Sequence, residues 1–108
     1  MELLGLKACD TCRKAAKALE SAGKAVDFRD VRAVPLNQAD LAALHDAFGE
    51  ALVNRRSTTW RGLSEADRAG DPVSLLAAHP TLMKRPVIRD GNALYLGWTA
   101  ETKAALGL

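Results

Sequence analysis

Both cysteines of this 108-residue chain lie in one stretch, Lys7-Ala8-Cys9-Asp10-Thr11-Cys12-Arg13-Lys14. At Cys-x-x-Cys spacing, two sulfurs about one helical turn apart can close a disulfide, and one thiol can attack while the other resolves the product. The elements around the pair decide which does which. Met1 to Leu6 is short, mostly apolar and ended by Lys7, which suits a buried first strand. Beyond it, Cys12, Ala15, Ala16, Leu19 and Ala22 recur at three- and four-residue steps, while Arg13, Lys14, Lys17 and Glu20 take the other face. That pattern is an amphipathic helix. Gly23 suits its C′ position, and Asp10 or Thr11 can cap its start. Cys9 then stands just before the helix, where unpaired backbone N–H groups and their partial positive charge stabilise a thiolate and lower its pKa below the ~8.5 of a free thiol. Cys9 is accordingly read as the nucleophile, and Cys12, facing the core, as the resolving cysteine.

Lys7, Arg13 and Lys14 crowd the same turn, although cations at a helix N-terminus oppose its dipole by roughly 0.3–1 kcal/mol each. A thiolate or a bound oxyanion would reverse the sign of that cost. The plainer alternative is a solvated basic face. For the cysteines, the alternatives are two small buried hydrophobes or half of a zinc site. Completing a metal shell would need further ligands, and the sequence has no second Cys-x-x-Cys and only His45 and His79 as histidines.

The remaining composition narrows the class. One domain of ordinary size with 48% hydrophobic residues has enough apolar surface for a true core. Two cysteines make no disulfide scaffold, no signal-like start or run of ~18 apolar residues is present, and the expectation is a cytoplasmic, soluble monomer. A net charge of +2, with acidic and basic residues interspersed and only five aromatics, argues against a nucleic-acid or membrane partner.

In order after Gly23, Ala25-Val26-Asp27-Phe28-Arg29 alternates as a second strand with Val26 and Phe28 inward, completing a βαβ unit with parallel strands. Asn37 with Asp40 three residues on marks the start of a helix to about Phe48, with Leu41, Leu44 and Phe48 as its buried stripe. Asn54-Arg55-Arg56-Ser57-Thr58-Thr59-Trp60-Arg61 reads as a loop whose arginines could hold an oxyanion or a carboxylate through forked hydrogen bonds, or as an ordinary basic surface loop. Ser64-Glu65 and Asp71-Pro72 open two short helices, the second ending at His79-Pro80. Val87-Ile88-Arg89 and Ala93 to Leu96, separated by Asp90-Gly91-Asn92, form a hairpin, and Thr99 caps a last helix through Leu106.

This order is similar to the thioredoxin-like fold, in which a Cys-x-x-Cys joins the first strand to the first helix and a cis-proline, here Pro86, opens the third strand. Four further motifs, Ala-Cys-Asp-Thr-Cys-Arg-Lys-Ala from Ala8, Leu-Val-Asn-Arg-Arg-Ser-Thr-Thr-Trp-Arg from Leu52, Lys-Arg-Pro-Val-Ile from Lys84 and Leu-Gly-Trp from Leu96, resemble the ArsC family. That family holds glutaredoxin-dependent arsenate reductases, the redox regulator Spx and YffB-like proteins, and the resemblance covers essentially the whole chain. It implies an α/β thioredoxin-like domain spanning 1–108, with a mixed four-stranded sheet flanked by helices. Segments 1–32 and 82–108 would form the core and 36–80 a helical insertion.

The resemblance also implies roles. Cys9 matches the cysteine that attacks arsenate, Arg85 matches an oxyanion-binding arginine, and Arg56 matches an arginine of the YffB-like middle segment. Arg56, Arg85, Thr11 and Arg13 are thus the anion-binding candidates, with Arg56 and Arg85 expected to converge on Cys9 and no metal required. The chain departs from the reductases in two places: Gly97-Trp98 stands where they carry another arginine, and Cys12 where they carry serine, as in Spx. The expectation is a thiol-dependent oxidoreductase acting on a small thiol or oxyanion, with glutathione as co-substrate and glutaredoxin as a protein partner. The alternative is a redox-sensing regulator that binds RNA polymerase through its Cys-x-x-Cys switch.

Overall fold

The computed structural model describes all 108 residues. In chain order the elements are β1 (Glu2–Gly5), α1 (Asp10–Ser21), β2 (Asp27–Asp30), α2 (Gln38–Phe48), α3 (Thr58–Arg61), α4 (Glu65–Arg68), α5 (Pro72–Ala78), β3 (Val87–Asp90), β4 (Ala93–Leu96) and α6 (Ala100–Ala105), with 3₁₀ turns at Gly49–Leu52 and Pro80–Leu82. They divide into two compact units, Met1–Val34 with Arg85–Leu108, and Pro35–Lys84.

The first unit is built on a sheet of order β2-β1-β3-β4, parallel between β1 and β2 and antiparallel elsewhere. This is the mixed four-stranded sheet expected of the thioredoxin-like class. Strand alternation places Leu3 opposite Ile88 and Leu4 opposite Val87, so one pair faces each side of the sheet, and all four are fully buried. On the Leu3 and Ile88 side, α1 contributes Cys12, Ala15, Ala16 and Leu19, and Leu106 from just after α6 joins them. The apolar periodicity of α1 thus becomes its packed face. Gly23, at φ +86, ends that helix: its N–H donates to Glu20 O and that of Lys24 to Leu19 O, the paired bonds of a Schellman motif. The second strand begins at Asp27, two residues later than its alternation suggested. Val26 and Phe28 pack against the core only half-buried, because β2 is an edge strand.

In the second unit, Asn37 caps α2 by accepting from Asp40 N at 2.8 Å, and Leu41 and Leu44 are buried. Phe48, expected with them, is only half-buried, since the helix ends there and the chain turns at Gly49, φ +60. Leu36, Leu52, Leu76, Leu82 and Met83 complete this core. An isolated bridge pairs Val53 with Met83, flanked by Asn54 N to Leu82 O and Lys84 N to Leu52 O, both 2.8 Å. The segment read as a loop contains a helical turn, α3, because the Ser57 hydroxyl accepts from Trp60 N at 3.1 Å. Its arginines and β-branched threonines obscured that cap.

Candidate functional site

The first turn of α1 differs from the expected one: neither Asp10 nor Thr11 caps it, and the N-cap residue is Cys9 itself, extended at φ −86, ψ 118. The difference follows from the backbone path. Cys9 N donates to Leu6 O at 3.0 Å and Cys9 O accepts from Arg13 N at 3.1 Å, so the helix begins directly after the cysteine. No side chain closes this cap, and the N-terminal donors of the helix are left for the sulfur. Asp30, at the end of β2, steadies the approach. Its carboxylate accepts from Lys7 N at 3.0 Å and from Arg32 N and Ala33 N at 2.9 and 3.2 Å. The Lys7 N–H bond leads the interactions that hold the Asp30 pKa below the usual carboxylate range. Sequence reasoning passed over Asp30, because nothing in a lone aspartate after a strand announces a reach of 23 residues.

The two sulfurs sit in unequal surroundings. Cys9 is half-buried, and Cys12 has no exposure at all. Partial burial is the largest influence on the Cys9 thiol and opposes its ionisation. The Cys12 backbone N–H, the Cys12 thiol and the hydrogen bond and charge of Arg85 together outweigh it and bring the pKa below that of an ordinary thiol. Burial pushes Cys12 the other way, up to about 12; the Leu6 N–H favours its thiolate, and the Cys9 sulfur opposes it.

Arg85, distant in sequence, therefore stands at Cys9. It is half-buried, and the Arg85–Pro86 peptide is cis, as expected, with Pro86 buried behind it. Where a further arginine was missing from the sequence, Gly97 takes φ +79 and donates its N–H to Pro86 O at 2.8 Å, tying the end of β4 to the start of β3. Trp98 packs half-buried against the core with the Lys103 ammonium 5.5 Å from its ring centre. Arg89, four residues past Arg85, is turned to Glu2, its register partner across the sheet.

The other candidates are exposed. Thr11 lies in the first turn of α1, and Arg13 is ion-paired with Asp10 while lining a groove of about 410 Å³ with Lys7, Ala16, Lys17, Glu20 and Phe28. Arg56 belongs to the Pro35–Lys84 unit, where it borders a cavity of about 560 Å³ with Arg55, Asn54 and Lys84, and its N–H is held by Asn54 Oδ1 at 3.1 Å. In that unit the guanidinium carbons of Arg55 and Arg68 both lie over Trp60, 5.6 and 5.8 Å from the ring centre. No cluster of three or more metal-ligating side chains is assembled anywhere, and no helix is long and apolar enough to cross a membrane.

Comparison with known proteins agrees with this geometry. The chain is 42% identical over 96 residues to an uncharacterised protein of Haemophilus influenzae, covering 83% of this chain and 84% of that one. The solved structure of a YFFB protein superposes with a TM-score of 0.89 at 34% identity, covering 97% and 96% of the two chains. An arsenate reductase (ArsC) related protein from Brucella melitensis matches with a TM-score of 0.75 at 34% identity, covering 99% and 94%. Residues 4–106 match the model of the ArsC family, a span that holds both cysteines, Arg56, Arg85, Pro86 and the Gly97-Trp98 departure, and the chain belongs to that family.

Proposed function

We propose that this protein is a thiol–disulfide oxidoreductase in which Cys9 is the nucleophile, Cys12 the resolving cysteine and glutathione the co-substrate. The observation that carries the reading is the unequal setting of the sulfurs. One is accessible at an uncapped helix start beside a guanidinium, and the other is sealed in the core one turn away. In the first step the Cys9 thiolate attacks one sulfur of a disulfide; a Cys9 mixed disulfide forms, the substrate S–S bond breaks, and the other half leaves as a thiolate. Cys9 is now neutral, so its opposition to a Cys12 thiolate is gone while the Leu6 N–H still favours that anion. Cys12 then attacks the Cys9 sulfur, its proton passes to the departing thiolate, and a Cys9–Cys12 disulfide closes. Two molecules of glutathione, oxidised to one glutathione disulfide, return both thiols.

Arg85 suits a carboxylate of such a substrate, and the family resemblance implies the same task for Arg56, Thr11 and Arg13. Arsenate is the less favoured substrate. A dry oxyanion site wants its charge matched by fixed donors, and Gly97-Trp98 replaces one of the arginines that the family's reductases supply. The test is mass spectrometry after treatment with oxidised glutathione: Cys12→Ser accumulates one glutathione on Cys9, the unsubstituted protein proceeds to the internal disulfide, and Cys9→Ser takes up none. Absence of the Cys9 adduct in Cys12→Ser would overturn the proposal.

A further inference from the structure

Glycine at a buried strand position loses packing and costs about 0.5–1 kcal/mol against alanine unless something else needs its space. Gly5 is such a residue. It lies at the end of β1 in register with Asp30, its carbonyl accepts from Val31 N at 2.9 Å, and its φ is not in the left-handed region, where glycine would be demanded. Its backbone would accept any residue. A Cβ built there, however, would lie 2.5 Å from Cys12 Sγ and 3.1 Å from Cys12 Cβ, with Leu3 Cδ2 at an ordinary 3.4 Å. The obstruction is thus the cysteine alone. The Cys12 backbone cannot retreat, since α1 holds it in the core with Ala15, Leu19, Leu3 and Ile88, all without exposure, and only rotation of its sulfur can relieve the contact.

We propose that Gly5 is the positioning residue of the cysteine pair: the side chain it lacks is the seat of the Cys12 sulfur, and that seat aims Cys12 at Cys9. Any residue with a Cβ rotates the sulfur out of this seat, away from the Leu6 N–H and from Cys9. Cys9 then loses the thiol that helps stabilise its anion, and a mixed disulfide on Cys9 loses its resolving partner. The second consequence rests on the thiol-exchange reading above; the first does not.

The experiment uses the whole chain as Gly5→Ala, Cys12→Ala and the double variant, with iodoacetamide alkylation of Cys9 followed against pH. With Cys12 present, Gly5→Ala moves the Cys9 profile to higher pH, toward that of Cys12→Ala. In the Cys12→Ala background, Gly5→Ala leaves the profile in place, because the 2.5 Å obstruction is absent. An equal shift in both backgrounds, or none with Cys12 present, would overturn the proposal. Should Gly5→Ala fail to fold, the double variant must fold, its Tm below that of Cys12→Ala only by the cost of the 3.1 Å contact that the Cβ at position 12 keeps, and an unfolded double variant overturns it equally. No substrate enters this measurement, so a failure of the proposed exchange reaction would leave the result readable.

Discussion

Two short basic turns of this protein, Lys7–Arg13 and Asn54–Arg61, each lead from extended backbone into a helix, and they treat the helix start in opposite ways. At the second, Ser57 accepts from Trp60 N at 3.1 Å and donates to Asn54 O at 2.7 Å, and Arg55 and Arg68 are drawn onto Trp60. Its polar groups are spent on one another. At the first, the N-cap is a cysteine without a capping bond, and the nearby donors are aimed at its sulfur. A satisfied cap stabilises a helix by about 1 kcal/mol; an unsatisfied one leaves a local positive potential that can hold an anion. The difference between the two turns is a difference in what the first N–H groups have to bond.

The sharpest way to break this comparison is to ask whether the first turn activates one sulfur only. With Cys12 at about 12, more than three pH units above an ordinary thiol, its thiolate is about a thousandfold scarcer than one at the ordinary value. Nucleophilicity rises with pKa and returns part of that factor, so Cys9 should be alkylated by iodoacetamide at least about tenfold faster near neutral pH. Peptide mapping of the labelled protein checks it, and faster labelling of Cys12 would reverse the assignment.

Next in size is the effect of the buried thiol on stability. Cys12 is raised in the folded state, so its contribution is fully present below the unfolded thiol pKa of ~8.5 and is lost as pH climbs from there toward 12. Over that window the unfolded chain has released a proton that the folded one keeps, and stability falls by up to about 1.4 kcal/mol per pH unit. Urea midpoints of Cys9→Ser and of Cys9→Ser with Cys12→Ala, subtracted, isolate this slope, since Cys9 then adds no titration of its own. A difference that stays flat from neutral pH to pH 11 would contradict the buried setting of Cys12.

The smallest effect exchanges the two caps. Ser57→Ala should lower stability by about 1 kcal/mol and leave the Cys9 titration alone, whereas Cys9→Ser, measured below the Cys9 titration, gives α1 a capping hydroxyl and should raise stability by up to about 1 kcal/mol. The same substitution removes the more reactive thiol, the kind of exchange expected where reactivity depends on an unsatisfied group. Chemical denaturation of both variants decides it, and a loss of stability in Cys9→Ser would show that the sulfur already satisfies the helix start.

Much was legible from local patterns alone. The apolar period of Cys12, Ala15, Ala16 and Leu19, the stop at Gly23, the cap at Asn37 and the hairpin around Gly91 are short-range matters, settled by side-chain direction, φ preference and hydrogen bonding within a few residues. The spacing of Cys9 and Cys12 likewise places one sulfur at a helix start and the other a turn inside, which determines the sign of their asymmetry before any fold is known. Other features depended on residues far apart in the chain. Arg85 reaches Cys9, Asp30 holds Lys7 N across 23 residues, Phe48 stays half-buried where its period promised burial, and Gly5 stands against the Cys12 sulfur. Sequence by itself determined most of the elements and the unequal placement of the two cysteines, because helix periods and caps are local. Only the tertiary structure decided how far each thiol is displaced, because desolvation and charge depend on what packs within a few ångströms, and packing brings those atoms from anywhere in the chain.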